Sequence, residues 1–384
     1  MLVVEREEEA GGVPRHCAHT GFGVRDLRRV LSGPRYARRI VDLTERAGVE
    51  VSTRTMVTGW ASPRVAEITG PAGVERVGAT AVVLATGARE RPRAARLVPG
   101  DRPAGVLTTG ELQQLVHVRR GAAEAIGRRA VVVGAEHVSY SALLTLRRAG
   151  VRPIGMITSL ERHQTVGLFA LAAATALRVP LWTGTSLSAI RGRGRVSQVE
   201  LAEVSSGRTR TIDADTVVFS GDWIPDHELA RAGGLKIDPG TRGPAADLLG
   251  RTSGAGIFAA GNLVHPVEPA DVVACRAARV GLAVADWLRA GTDPVPARLR
   301  VVATDGLLWV FPNLVAPGAA DHGPFAIRSR EHRHGATVVV EQGGQVVARH
   351  RLRRAVPNRT QEIPGTWVGA LDPQAGAVLL RIEG

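Results

Sequence analysis

Lysine and aromatic residues are scarce in this chain, and their scarcity argues against one class of partner. Of 49 basic residues only Lys236 is a lysine, and aromatic residues make up 4% of the 384 positions. The arginines are scattered among Ala, Gly and Val, without a dense basic run interleaved with aromatics. The formal charge of +13 is therefore explained by a solvated arginine-rich surface, and no nucleic-acid partner is predicted.

Cysteine is equally scarce. Cys17 and Cys275 are the only two cysteines, and they form no C-x-x-C or C-x4-C pair. Reduction of a disulfide substrate needs two neighbouring thiols, and an iron–sulfur cluster needs more cysteine ligands than this chain has. The sequence excludes both chemistries and indicates no metal site. Cys17 is interpreted as a small buried apolar residue, with a thiol beside a cofactor as the alternative.

Long apolar runs are also missing, so no integral membrane segment is predicted. A spanning helix needs about 20 apolar residues, whereas the longest apolar stretch, Gly167 to Leu177, is Ala-rich and predicts a core helix. Acids at Glu5, Glu7, Glu8 and Glu9 occupy the region where a signal peptide has a basic segment, so no signal peptide is predicted. The simplest prediction is a cytoplasmic protein, and peripheral membrane association stays open.

The first positive feature is an apolar strand that ends in an acid. Met1 to Glu5 has the pattern of the second strand of a dinucleotide-binding βαβ unit, in which Glu5 accepts the hydroxyls of an adenosine ribose. Gly11-Gly12 then predicts a turn where the backbone passes close to a ligand. The alternatives are one surface acid among several and a generic tight turn.

Two later segments repeat this arrangement. A buried-strand run ends in Ala85-Thr86-Gly87, and a second ends in Gly261-Asn262, before a predicted helix from Ala270 to Leu288. Small residues at a strand end let the backbone approach a ligand. Together with Glu5, these segments indicate one nucleotide site.

A separate βαβ unit begins with the strand Ala130 to Gly134, and its helix is predicted from about Tyr140. Its turn reads Gly134-Ala135-Glu136-His137-Val138-Ser139, so Glu136 stands at the second Gly of G-x-G-x-x-G and Ser139 at the third. A carboxylate there is bulky and has the same charge sign as pyrophosphate. The repulsion costs on the order of several kcal/mol, against about 8 kcal/mol for micromolar binding. The sequence therefore argues against tight NAD(P) binding.

The chain resembles the FAD/NAD(P)-dependent pyridine nucleotide-disulfide oxidoreductase superfamily over roughly residues 1 to 295. The motifs that carry the resemblance are Glu5, Gly11-Gly12, Ala85-Thr86-Gly87, Gly134 and Gly261-Asn262. Gly11 to Gly23 and Ala88 to Pro92 are similar to the branch of opine oxidase and hydrogen cyanide synthase flavoprotein subunits. The sequence departs from the superfamily in missing the first FAD-binding strand and its G-x-G-x-x-G turn.

The resemblance implies an α/β fold with two Rossmann-like three-layer dinucleotide-binding domains, one inserted in the other. We expect the FAD-binding domain at 1–107 and 250–293, and an NAD(P)-binding-like domain at 108–249. A small C-terminal β-rich domain is predicted at 294–384, with strands at Thr337 to Val340 and Gln345 to Arg349.

The resemblance also implies the flavin contacts. Asn262 stands where the family has an Asp that hydrogen-bonds the ribityl chain, and an amide can make that contact without the charge. The next helix would direct its first N–H groups, near Ala270 and Asp271, at the pyrimidine side of the flavin. A first-turn or capping acid is the alternative for Asp271.

Members of this branch transfer a hydride from an amine or amino acid to flavin and pass the electrons to partners. The main hypothesis is therefore an FAD-dependent dehydrogenase of a small amine, amino acid or hydroxy acid, with a possible electron-accepting partner subunit. The catalytic candidates are His16, His265 and Glu268, and a structural hydrogen bond is the alternative role for each of them.

Two alternatives stay open. One is an NAD(P)H-dependent flavoprotein reductase in which His137 or a shifted backbone rescues the second turn. The other is a catalytically inactive or truncated flavoprotein-like subunit that serves as a scaffold.

Overall fold

The computed structural model describes residues 1–119, 125–165, 178–291, 298–318 and 323–384. The predicted helix at 167–177 and the predicted boundary between 293 and 294 lie outside these ranges. Within them, no helix is both long enough and apolar enough to cross a membrane.

The chain builds 27 strands and five α-helices among these residues. Up to residue 90 they are β1 Leu2–Val4, β2 Thr20–Phe22, β3 Leu31–Ser32, α1 Gly33–Arg46, β4 Glu50–Ser52, β5 Met56–Ser62, β6 Val65–Gly70, β7 Gly73–Gly78, β8 Val82–Leu84 and β9 Ala88–Glu90. Next come β10 Val106–Thr108, α2 Thr109–His117, β11 Arg129–Val133, α3 His137–Arg148, β12 Arg152–Ile157, β13 Leu181–Trp182, β14 Thr185–Arg191, β15 Gln198–Glu203, β16 Thr209–Asp213 and β17 Thr216–Phe219. The last are β18 Trp223–Pro225, α4 Glu228–Ala232, β19 Ile257–Ala259, α5 Ala270–Ala290, β20 Leu299–Ala303, β21 Leu307–Phe311, β22 Leu314–Val315, β23 Phe325–Ser329, β24 Arg333–Gln342, β25 Gln345–Ala355, β26 Gln361–Ile363 and β27 Val378–Glu383.

We call β1 to β9 together with β18 to α5 the first unit. Its strands β1 and β4 pair in parallel, as do β8 and β19. The strand predicted at Met1 to Glu5 is therefore present as β1. In the described part of the chain β1 and β8 each pair along one edge only, and Val3 and Val83 are 36% and 46% exposed.

We call β10 to β17 the second unit. Its main sheet has the order β10-β17-β11-β12-β13 with all strands parallel, and the pattern of β11, α3 and β12 is the predicted βαβ motif. Leu143 and Leu146 of α3 pack against Val132 of β11 in a fully buried core. The helix begins three residues before the predicted Tyr140, because Glu136 caps α3 and starts it at His137.

Strand pairing and packing bear on one end of the predicted inserted domain. Strand β18 pairs with β9, and Ala230, Leu235 and Ala246 share a core with Leu84 and Ile257. This packing favours a return of the chain to the first unit at β18 rather than at residue 250. The division into domains stays a proposal with that change.

Strands β20 to β27 form the C-terminal unit, a pair of sheets around one apolar core. The two strands predicted there are the paired ends of a longer hairpin, β24 and β25, in antiparallel register. Trp309, Phe311 and Ala326 of this unit also pack into the core of the first unit, beside Leu263. The C-terminal unit therefore lies directly against the segment that follows β19.

Candidate functional site

Two of the predicted cofactor-binding segments leave the same edge of one sheet. Because β8 and β19 are parallel, Ala85-Thr86-Gly87 and Gly261-Asn262 both follow carboxyl ends, and the Ala260 N–H donates to the Leu84 carbonyl at 3.0 Å. The Thr86 hydroxyl donates to the Asp226 carbonyl at 2.7 Å. Gly87 has φ +80, and a Cβ built on it meets no heavy atom of the described residues within 4 Å. The backbone at Gly87 is thus open to a close approach.

Asn262 holds the loop that follows it. Its Oδ1 accepts a hydrogen bond from the Glu268 N–H at 2.8 Å, and its Nδ2 donates to the Glu268 carbonyl at 3.3 Å. The amide predicted to contact a ribityl chain therefore has both ends engaged within the protein. Asn262 fixes the loop that leads into α5.

The first turn of α5 contains a buried acid with an arginine partner. Asp271 is 3% exposed, and its carboxylate accepts from the backbone N–H of Arg25 at 3.2 Å and from its guanidinium at 3.0 Å. Asp271 also accepts from the Val272 N–H at 2.9 Å. These contacts favour the first-turn acid interpretation of Asp271. Ala270 begins the helix, as predicted.

Glu5 lies just past the end of β1. Its backbone N–H donates to the Ser52 carbonyl at 2.9 Å, and its Oε1 accepts from the Glu7 N–H at 2.9 Å. Gly11 and Gly12 both have positive φ, at +120 and +59, and a Cβ on Gly12 meets no described heavy atom within 4 Å. A Cβ on Gly11 would instead lie 2.9 Å from the Ala37 Cβ, so this glycine is needed for helix packing.

His16 has a structural environment. It is 4% exposed, and its Nε2 lies 3.3 Å from Oε2 of Glu7, which also accepts from Arg15 at 2.8 Å. The ring ties the acidic N-terminal segment to the short 3-10 turn Val13–His16. This environment favours the hydrogen-bonding interpretation of His16 over a role as a general base.

His265 is buried among aromatic rings of the C-terminal unit. It is 2% exposed, and its ring centroid lies 5.0 Å from that of Trp309 and 4.8 Å from that of Phe311. Burial, followed by the charges of Arg276 and Arg328, holds the pKa of His265 well below its usual range. Its Nε2 lies 2.8 Å from Nη1 of Arg276, so a neutral ring accepts a hydrogen bond there.

Glu268 lies beside this histidine. Its Oε1 is 3.8 Å from Nδ1 of His265 and 3.8 Å from Nη1 of Arg276, and its side chain is 8% exposed. Both His265 and Glu268 line a pocket shared with Gly261 and Phe311. The structure therefore brings two of the three catalytic candidates together, next to the Gly261-Asn262 turn.

In the turn of the second unit, the side chain of Glu136 occupies the N-terminus of α3. The Glu136 carboxylate accepts from the N–H groups of Val138 at 2.6 Å and Ser139 at 3.1 Å, and from the Ser139 hydroxyl at 2.9 Å. A fourth hydrogen bond comes from the Ser220 hydroxyl. Glu136 is 6% exposed, and a Cβ on Gly134 would lie 2.7 Å from Oγ of Ser139. The helix N-terminus, which binds anions in this motif, is thus filled by a protein carboxylate.

A second carboxylate caps the neighbouring helix. Glu90, at the end of β9, accepts twice from the Gly110 N–H in the first turn of α2, at 3.1 and 3.2 Å. It is 7% exposed, and burial, reinforced by the charge of Glu136, raises its pKa to about 7. Glu90 therefore links the first unit to the second.

Ser220 and Glu90 were not among the predicted site residues. Ser220 follows the buried strand β17, so its position has the same signal as Thr86, a small polar residue at a strand end. That signal was available in the sequence. Glu90 has no such signal, because its partner helix cannot be identified before the two units are placed together.

The two cysteines are free, with Cys17 buried and Cys275 exposed. Burial, reinforced by the charge of Glu90, raises the pKa of Cys17 to about 12, and its Sγ donates to the Gln113 side chain at 3.4 Å. A thiol with this pKa is a poor nucleophile at neutral pH. Among the described residues, no group of three or more His, Cys, Asp or Glu side chains could hold a metal ion.

Two units with parallel sheets, interleaved along the chain and each with a nucleotide-type turn, define a two-domain Rossmann protein. Within that class the chain belongs to the pyridine nucleotide-disulphide oxidoreductase family, whose pattern matches residues 14–278. The predicted superfamily is thereby confirmed. It is a family of FAD-dependent oxidoreductases.

Curated relatives support this assignment. The chain is 29% identical over 243 residues to an opine oxidase subunit of Agrobacterium tumefaciens (strain Ach5), with 58% of this chain and 46% of that protein covered. It is 29% identical over 194 residues to the benzene 1,2-dioxygenase system ferredoxin–NAD(+) reductase subunit of Pseudomonas putida, with 49% and 44% covered. The chain thus spans less than half the length of either protein.

Solved structures confirm the predicted fold class. Thioredoxin reductase of T. acidophilum matches with a TM-score of 0.60 at 17% identity, covering 75% of this chain and 90% of that chain. Thioredoxin reductase of Lactococcus lactis matches with a TM-score of 0.61 at 16% identity, covering 75% and 91%. At these identities the likeness concerns the fold alone.

Proposed function

We propose that this chain is an FAD-dependent oxidoreductase whose flavin receives a hydride from a small amine, amino acid or hydroxy acid rather than from NAD(P)H. The observation that carries the proposal is the carboxylate of Glu136 at the N-terminus of α3. FAD, when bound, supplies the hydride acceptor, and the protein holds and orients it.

The first unit offers the groups that would hold FAD. Glu5 at the end of β1 is placed to accept ribose hydroxyls, and the open backbone of Gly12 and Gly87 admits a close ligand. Gly261 and Asn262, whose amide is hydrogen-bonded to the backbone of Glu268, follow the carboxyl end of β19, beside the carboxyl end of β8 that Gly87 follows. The residues present therefore fit a dinucleotide in the first unit.

The second unit does not fit one. A nicotinamide dinucleotide would have to take the donors of Val138 and Ser139 away from Glu136, whose negative charge would then face the pyrophosphate. Two anions in contact at a partly buried site repel by several kcal/mol. This supports the doubt about NAD(P) as a cofactor.

His265 and Glu268 are the chain's candidates for handling the substrate proton. Burial and the charges of Arg276 and Arg328 lower the pKa of His265, so its ring is a weak proton acceptor, and Arg276 already occupies Nε2. Glu268 lies in the same pocket, and its carboxylate can accept a hydrogen bond from an ammonium group of the substrate. Electrons leaving the flavin would pass to a partner subunit, in keeping with the name of the opine oxidase relative as one subunit of an oxidase.

The second candidate is an NAD(P)H-dependent reductase. It is favoured by the names of the Pseudomonas putida and Burkholderia cepacia relatives, both ferredoxin–NAD(+) reductases of dioxygenase systems. It requires Glu136 to swing away from Val138 and Ser139. A catalytically inactive scaffold is the third candidate, and it predicts a protein without bound flavin.

Anaerobic reduction of the FAD-loaded protein tests these candidates. NADH, NADPH and a panel of amines, amino acids and hydroxy acids are each added, and the visible absorbance of the flavin is followed. The proposal predicts bleaching by a member of the panel and none by either nicotinamide. Rapid bleaching by NADH or NADPH contradicts it, and absence of flavin binding supports the scaffold.

A further inference from the structure

The C-terminal unit is bonded to the loop between Asn262 and α5. Thr360, just before β26, donates its hydroxyl hydrogen bond to Oε1 of Glu268. The backbone of Glu268 is in turn held by both ends of the Asn262 amide. A continuous chain of hydrogen bonds therefore runs from the C-terminal unit to the turn that follows β19.

Arg328 of β23 reinforces this chain. It is 3% exposed and donates to the Pro266 carbonyl at 2.8 Å, the Val267 carbonyl at 3.1 Å and the Thr360 hydroxyl at 2.9 Å. Its guanidinium carbon lies 4.8 Å from the ring centroid of Trp309, and burial lowers its pKa to about 10. Burying a guanidinium costs free energy unless acceptors hydrogen-bond it. Movement of the Pro266 or Val267 carbonyl away from Arg328 would therefore be unfavourable.

We propose that Arg328 and Thr360 are positioning residues of the first unit's cofactor site: they set the backbone at 266–268 and, through Glu268, the orientation of Asn262. This assigns the C-terminal unit a role in the site. The flavin part of the inference rests on the proposed function, whereas the loop part does not.

Simple coverage of an apolar surface is the competing explanation. Phe311 and Ala326 of the C-terminal unit pack beside Leu263, and this packing alone could account for the contact between units. The two explanations make different predictions for Thr360. If the units are held together by apolar packing alone, removing the Thr360 hydroxyl should leave the loop at 266–268 unchanged.

Thr360→Val tests the difference, since it keeps the shape of the side chain and removes the hydroxyl. Thr360→Ser restores the hydroxyl, and Thr337→Val, at a half-buried position of β24, is the matched control. Amide hydrogen exchange over 262–268 is measured in the flavin-free protein, and FAD affinity is measured by titration. We expect Thr360→Val to speed exchange and weaken FAD binding by about tenfold each, with Thr360→Ser and Thr337→Val near wild type.

Each outcome decides one part of the inference. Unchanged exchange at 262–268 in Thr360→Val overturns it, whether or not FAD binds. Faster exchange with unchanged FAD affinity overturns its flavin part. If the wild-type protein binds no FAD, the proposed function fails, and the exchange data alone then decide whether the C-terminal unit positions the loop.

Discussion

The nucleotide-type turns of the two units differ in what fills them. In the first unit, a Cβ added to Gly12 or Gly87 meets no described heavy atom within 4 Å. In the second unit, Glu136 occupies the turn and takes hydrogen bonds from Val138 and Ser139. The turns of the first unit leave their backbone accessible, whereas the N–H donors in the turn of the second unit are satisfied by the carboxylate of Glu136.

This difference shows that a dinucleotide-binding type of fold can form with its turn filled by a side chain. The second unit retains its parallel sheet, its crossover helix and a fully buried core. A carboxylate at an N-cap stabilises that helix, because it complements the helix dipole and the free N–H groups. The residue that we propose to disfavour the nucleotide therefore also supports the fold.

The largest expected effect comes from removing the internal anion. Glu136→Gly should create measurable NADH or NADPH affinity, with binding tightened by about 100-fold or more, because a like charge is removed and two N–H donors are released. Glu136→Gln is the control, since it keeps the shape and loses only the charge, and it should show an intermediate gain. Titration by isothermal calorimetry measures both, and unchanged affinity in Glu136→Gly contradicts the account.

The second prediction concerns Glu90. Its raised pKa means that the folded protein binds the proton more tightly than the unfolded chain. The free energy of unfolding therefore falls as pH rises from about 4.5 to about 7, and this penalty remains above that range. Glu90→Gln removes the titration, so the variant should gain roughly 2 to 3 kcal/mol relative to wild type between pH 5 and pH 8.

Urea unfolding of Glu90→Gln and wild type at pH 5 and pH 8 measures this gain. The exposed acid variant Glu75→Gln is the matched control and should show no such dependence. A wild type and a Glu90→Gln variant with parallel pH profiles would show that Glu90 titrates normally.

A smaller effect is expected at the open turn. Gly87→Ala forces a side chain into a backbone with φ +80 and places a Cβ at the proposed cofactor surface, so FAD affinity should fall by about tenfold. Gly48→Ala is the control. Gly48 also has a positive φ, at +74, but it precedes the amino end of β4, whereas Gly87 follows the carboxyl end of β8. Equal FAD affinity in both variants would remove Gly87 from the site.

The smallest expected effect is at Ser220. Ser220→Ala deletes one hydroxyl donor to Glu136 and should lower the free energy of unfolding by about 1 kcal/mol. Three donors would still hold the carboxylate, so NAD(P) affinity should stay low. A gain of nicotinamide binding in Ser220→Ala would show that Glu136 is held less firmly than its contacts indicate.

Local sequence was enough to predict the elements that depend on short-range pattern. The strand before Glu5, the turn at Ala85-Thr86-Gly87 and the position of Glu136 in the second turn all follow from residue type and spacing. The strands at Thr337 to Val340 and Gln345 to Arg349 were likewise predicted, although β24 and β25 extend further than expected.

Long-range pairing could not be predicted in the same way. Arg25 contacts Asp271 across 246 positions, and an arginine-rich sequence offers many equivalent partners. Ser220 reaches Glu136 only because β17 lies beside β11 in the sheet. The pairing of β18 with β9 has no counterpart in local composition, so it could not be predicted from the sequence.

The most direct test of the central claim is a titration of the wild-type protein with NADH and NADPH at low salt. A turn closed by Glu136 predicts no saturable binding of either nucleotide up to about 1 mM. Saturable binding at micromolar concentration, with no change in Glu136→Gly, would contradict the assignment of Glu136 as the internal anion of the second unit.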